Sequence, residues 1–188
     1  VAVANIYYSQ PMLGVIATEL GHDELVGLIP TATQLGYAIG LFALLPLGDI
    51  VPRRGLIALK FLGLAAASVL AAMAPGVWTL LTASLLLGLI ATAAQQLVPF
   101  TTLLVPPEKR GAALGIAMAG LLSGILLSRV LSGFVSEHLG WREMFWLAAP
   151  LSGVMGLVMY GLLPHRPPAA SISYGAAMRS LVHLWRRE

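Results

Sequence analysis

Cysteine is absent from this 188-residue chain, which excludes a disulfide framework and any thiolate metal site. Charge is scarce too: Asp, Glu, Lys and Arg make up 10% of residues, against about 25% in water-soluble domains. No acidic residue falls deep inside a long apolar run, and the histidines at 22, 138, 165 and 183 lie in the breaks or the tail. No pair of imidazoles or carboxylates can therefore meet inside a span to hold a metal. A Gly-x-Ser nucleophile motif is missing as well, so hydrolysis within the membrane has no machinery. No enzyme activity and no cofactor are expected. The first residues show no secretory-leader pattern. Val1 already lies inside an apolar stretch, and more chain is expected before it.

Apolar residues, by contrast, are abundant: 58% of the chain, with a mean hydropathy of +0.86. A water-soluble fold of this length could not cover so much apolar surface; a lipid bilayer can. A helix crossing roughly 30 Å of hydrocarbon needs about 20 apolar residues. Five runs approach or exceed that length: Leu25–Leu47, Leu56–Met73, Val77–Val105, Ala112–Val135 and Met144–Leu163. A sixth, Val1–Leu20, carries Asn5, Tyr7, Tyr8, Ser9 and Gln10 and reads as the outer part of a first span. Transmembrane strands are about 10 residues of alternating polarity, which these runs are not. The predicted fold is all-α, a polytopic bundle of transmembrane helices.

The net charge of +3 does not point to nucleic acid, because the charges sit in short breaks between apolar runs. Those breaks carry turn chemistry at 21–24, 52–55, 74–76, 106–111 and 137–140. One side collects Arg53, Arg54, Lys60, Lys109, Arg110, Arg166, Arg179, Arg186 and Arg187. The other holds Arg142 alone, beside Glu19, Asp23, Glu24, Glu137 and Glu143. Basic loops stay cytoplasmic, so the loops at 52–55 and 106–111 and the tail after Leu163 are expected inside the cell. Pro164, Pro167 and Pro168 end the sixth helix. Beyond them Met178, Leu181, Val182 and Trp185 share a helical face next to Arg179, Arg186 and Arg187. That segment reads either as a basic amphipathic helix lying on the membrane or as an ordinary linker helix. Residues 1–163 thus form the expected bundle, with 164–188 a connector.

The loop from Leu45 to Arg54, LPLGDIVPRR, resembles the helix 2–3 loop of the major facilitator superfamily, with its acidic residue and paired basic residues. Asp49, Arg53 and Arg54 fall on those positions. Leu45, Ile50 and Pro52 depart from the pattern. In span 5, Gly115, Gly124 and Gly133 align with the family's antiporter signature, where Ser128 and Ser132 substitute for small residues and Arg129 replaces a proline. Asn5-Ile6-Tyr7-Tyr8-Ser9-Gln10-Pro11 is similar to a helix 1 segment of bacterial efflux-type facilitators. Gly140-Trp141-Arg142-Glu143-Met144-Phe145 resembles the start of helix 6, and Arg110-Gly111 fits the helix 4–5 loop. The resemblance runs from Asn5 to about Pro164. It implies the amino-terminal half of such a transporter: six helices in two three-helix repeats, completed by a six-helix carboxy-terminal half. The setting would be a cell membrane, the inner membrane of a bacterium, with a small solute as cargo, efflux as the direction and protons as a possible coupling ion. The competing reading is a complete six-helix protein that pairs with itself as a channel or half-size transporter.

Particular residues follow. Asp49, Arg53 and Arg54 form the expected cytoplasmic gate loop, a latch between bundles; the alternative makes the arginines plain topology signals. Gly120, Gly124, Ser128 and Ser132 recur every fourth residue and, with Gly115 and Gly133, predict a helix-packing face. Arg129 either lines a cavity or reaches back to outer headgroups. Facilitator sites lie near the midplane between halves. Asn5 and Tyr8 on helix 1, Gln34 and Tyr37 on helix 2, Gln95 on helix 4 and Arg129 are the candidate cavity residues. Thr92, Gln96, Pro99 and Thr102 lie on or beside the same stripe of helix 4. Amides and phenols suit a neutral or amphipathic solute, or they bond helix to helix. Any proton-carrying carboxylate must be Asp49 or lie outside this chain.

Overall fold

The computed structural model describes residues 1–103, 105–164 and 174–175, with the side chains of Asp49 and Leu103 outside that description. The described residues are helical with no strand. The first segment is broken into α1 (Ala4–Tyr7), a 3-10 turn at Gln10–Met12 and α2 (Leu13–Leu20). Pro11, which has no amide hydrogen to give the ladder, sits inside that turn. Asp23–Val26 (α3) leads into α4 (Ile29–Leu44), which stops before Pro46. The short α5 (Leu47–Ile50) then precedes α6 (Arg53–Ala72). The fourth span is two helices, α7 (Val77–Ile90) and α8 (Ala93–Leu103). The last two are α9 (Arg110–His138) and α10 (Trp141–Leu162).

Among the described residues five stretches are long and apolar enough to cross a membrane: Asp23–Leu44, Arg53–Ala72, Val77–Thr102, Pro107–His138 and Trp141–Leu162. They match the five expected spans to within a few residues at most ends. Two details differ. The fourth span is not one continuous helix, and the first is too fragmented to count as a span by itself. Gly140 makes the α9–α10 turn at φ +114°, a backbone that side-chain-bearing residues rarely adopt.

The third and sixth spans, the last of each three-helix set, pack along each other, as do the second and fourth. Ile57, Phe61 and Leu64 of α6 bury one stripe; Met144, Phe145 and Ala148 of α10 and Leu80, Ala83 and Leu87 of α7 supply buried partners for the same core. The α4–α7 crossing is the tightest. A methyl group at Gly36 would meet the Leu85 carbonyl, at Gly40 the Leu89 carbonyl and at Gly88 the Thr33 carbonyl. Backbones this close let dispersion replace the hydrophobic force that lipid does not supply.

Among the described residues the packing face expected on the fifth span is engaged at one end. Gly115, Gly120 and Gly124 of α9 have nothing within 4 Å of a built Cβ, and Gly133 meets only Pro11 at 3.7 Å. Ser128, Ser132, Val135 and Ser136 are the buried residues of α9, where the first segment crosses it. The stripe packs at one end only; at the other, Gly120 and Gly124 border an apolar groove of about 380 Å³. The amphipathic helix read at Met178–Trp185 lies outside the described residues. Tyr174 donates its hydroxyl to the Ala43 carbonyl of α4 at 2.9 Å.

Candidate functional site

The first segment turns its polar residues in two directions. Asn5 and Tyr8 do share a face, but that face points into the bundle: they are 3% and 2% exposed. The Asn5 amide donates to the Val1 carbonyl (2.9 Å) and to Ser152 Oγ of α10 (3.4 Å), and accepts from Ser68 Oγ of α6 (3.3 Å). These bonds join the first segment to the third and sixth spans, as the helix-bonding alternative expects. Tyr8 lines an apolar cleft of about 560 Å³ with Ser128, Phe134 and Leu151. The more open polar positions of this segment are Tyr7 and Gln10, one step round the helix.

On the second and fourth spans, Gln34 is exposed and Tyr37, three residues on, is half-buried. Gln95 Nε2 donates to the Tyr37 hydroxyl at 2.8 Å, so α4 and α8 present one joined phenol–amide pair with Gln34 beside it. Gln96 points the other way. It is 6% exposed, and its Nε2 donates to the Leu44 and Leu45 carbonyls (3.1 and 3.4 Å) freed where α4 ends. Thr102 bonds only within its own helix, to the Pro99 carbonyl at 2.8 Å. Leu45, Gly48, Arg53, Gln95, Gln96 and Pro99 line a pocket of about 220 Å³.

Arg129 is exposed on α9, and its guanidinium carbon sits 5.2 Å from the centroid of Tyr7. A cation over an aromatic face gains about 0.5–1 kcal/mol at exposed sites. This partly offsets the cost of a charge within a span, about 2.5–3.5 kcal/mol at the centre. In the loop before α6, Arg53 Nε donates to the Gly48 carbonyl at 2.9 Å, with its guanidinium 5.7 Å from the Phe100 ring. Arg54 lies 4.2 Å from the Tyr160 ring of α10. The two arginines thus reach rings of the fourth and sixth spans. The Asp49 carboxylate lies outside the described side chains.

Two features escaped the sequence reading. Lys60, counted there among the aqueous basic residues, is 4% exposed inside α6 and donates to Thr92 Oγ1 at 2.9 Å. Its place inside an apolar run, about two turns on from Arg53, was the available signal. At the opposite end of the bundle Glu19 accepts from Trp141 Nε1 at 2.8 Å and pairs with Arg142. Arg142 donates to the Ala74 carbonyl at 3.0 Å. Three inter-helix connections converge there, which gives the Gly140-Trp141-Arg142 motif a structural job. No spacing rule pairs residues so far apart in sequence.

Helices of membrane-crossing length, with amides, phenols and a guanidinium on exposed faces, define a polytopic membrane bundle. The chain belongs to the Major Facilitator Superfamily, whose family model matches residues 1–188. It is 38% identical over 185 residues to the putative uncharacterized transporter YgaY of Escherichia coli K12, covering 98% of this chain and 47% of YgaY. It is 31% identical over 132 residues to the multidrug resistance protein MdtG of Klebsiella pneumoniae, covering 69% of this chain and 32% of MdtG. The crystallised peptide transporter POT, bound to alafosfalin, superposes with a TM-score of 0.73 at 17% identity, over 99% of this chain and 43% of POT. The chain spans about half the length of YgaY.

Proposed function

We propose that this chain is the amino-terminal bundle of a secondary transporter that expels a small neutral or amphipathic solute by alternating access. The carrying observation is the Tyr37–Gln95 pair with exposed Gln34 beside it: hydrogen-bonding groups on an otherwise apolar surface, the balance a solute site requires. Arg129 over Tyr7 would add a cationic edge to the same kind of surface. A second six-helix bundle would cover this face, with residues 164–188 as the connector; the half-length match to YgaY supports that arrangement. Efflux is favoured by the likeness to a protein named for multidrug resistance. The Lys and Arg bias favours a cytoplasmic position for the Arg53 end. Asp49, Arg53 and Arg54 would form the gate at that end, and protons are the coupling ion to test first.

The experiment is dye movement by the full-length protein in proteoliposomes, using an amphipathic fluorescent dye with and without an imposed pH gradient. Gln34→Ala and Gln95→Ala are expected to lower the rate about tenfold, the equivalent of about 1.4 kcal/mol. Arg129→Leu should leave folding intact, or improve it by removing the charge, while slowing transport. Unchanged rates in all three variants would remove the proposed face from the pathway.

A further inference from the structure

The break in the fourth span has an unusual cause. Helix kinks ordinarily trace to proline, to glycine or to a side chain inserted into the hydrogen-bond ladder. Pro99 lies too far along: the bond it removes would run to Gln95, inside α8. Gly88 lies before the break, and its missing side chain serves the crossing with α4. Between them α7 closes at Ala91 (φ −64°, ψ 0°), whose amide is shared by the Leu87 and Gly88 carbonyls at 3.0 and 3.1 Å. A tight Gln95 N–H to Thr92 carbonyl bond of 3.2 Å then restarts the helix.

Lys60 meets the chain at this point. Its Nζ is 2.9 Å from Thr92 Oγ1, and Thr92 is fully buried. The Thr92 methyl lies 3.0 Å from where a Cβ on Gly40 would stand, so Thr92 is held between Lys60 of α6 and Gly40 of α4. The end of α7 is the negative pole of a helix. In transporters with interrupted helices such ends hold mobile cations. Here a cation is attached by its own side chain to the neighbouring helix.

We infer that Lys60 is a tethered cation that holds the fourth span broken at Thr92 and thereby positions α8, carrying Gln95 to Tyr37 and Gln96 to the end of α4. Lys60 is a positioning residue and touches no solute. Its importance to transport rests on the function proposed above; its hold on the break does not.

The test uses the full-length protein on a cysteine-free background in nanodiscs, spin-labelled at Thr82→Cys and Thr102→Cys on either side of the break. An unbroken helix would separate these positions by about 30 Å. The unsubstituted protein should give a single narrow distance distribution. Lys60→Met should lengthen the mean and at least double the width, and Thr92→Val, which removes only the acceptor, should reproduce this. Lys60→Arg should retain the original distribution, and the double variant should match either single one. Original distributions in both Lys60→Met and Thr92→Val would overturn the inference and assign the break to backbone packing. Solute movement by the unsubstituted protein is measured separately; its absence would remove the transport reading and leave the distance result standing.

Discussion

Asn5 shows how one polar side chain inside a bilayer can be structural. In hydrocarbon an amide without partners is expensive, so each one found there has been satisfied by something. Ser68 and Ser152 satisfy Asn5 from two different spans. Side-chain bonds between membrane helices average about 0.6 kcal/mol and reach about 1.7. Asn5→Ala should therefore lower stability by about 1–2 kcal/mol, read as a lower unfolding midpoint in detergent titration. A larger effect on transport than on stability would return Asn5 to the solute pathway. Tyr7 and Arg129 are the contrasting case, a pair held at a more open surface where function has more room to act.

Among the elements, glycine has two separate roles that look alike in sequence. Gly36, Gly40 and Gly88 sit where α4 and α7 touch through their backbones, and an added methyl group at any of them meets a carbonyl oxygen. Overpacking of this kind costs about 1–3 kcal/mol, occasionally more. Gly120 in α9 has open space around it. Gly88→Ala should thus destabilise the bundle measurably, whereas Gly120→Ala should be neutral or stabilising by up to about 1 kcal/mol through helix propensity. Thermal melts of the two variants in one detergent decide it; equal melting shifts would mean that the crossing is looser than described. The same comparison shows what the repeating stripe of the fifth span leaves open: spacing identifies a smooth face and says nothing of what lies against it.

For the whole molecule, the distribution of charge between the two ends is the property that every functional reading depends on. On a cysteine-free background, single introduced thiols at 54, 110 and 24 are unambiguous reporters. Arg54→Cys and Arg110→Cys should react with a membrane-impermeant maleimide only in inverted vesicles or after permeabilisation. Glu24→Cys should react in intact cells. Labelling of 54 and 110 from opposite sides would break the proposed topology, and with it the gate and the efflux direction. Lys60 no longer counts toward this asymmetry, being buried, yet the remaining basic residues still favour the same end.

Hydrophobic run length determined the spans, because the thickness of the hydrocarbon layer imposes it on any chain that crosses. Pro52 and Gly140 marked where helices stop for equally local reasons, whereas the second span was expected to run past Pro46 and ends at Leu44. The pairing of Gln34 with Tyr37 on one helical face also followed from the helical repeat alone. Tertiary structure was needed wherever a rotation about a helix axis had to be known. It turned Asn5 and Tyr8 inward, left Gly115 and Gly120 without neighbours among the described residues and brought Glu19 to Trp141. It also buried Lys60 within the third span, against Thr92 at the break in the fourth. Periodicity gives a helix its faces, but the face that becomes interior depends on which helices arrive beside it, and those contacts come from distant parts of the chain.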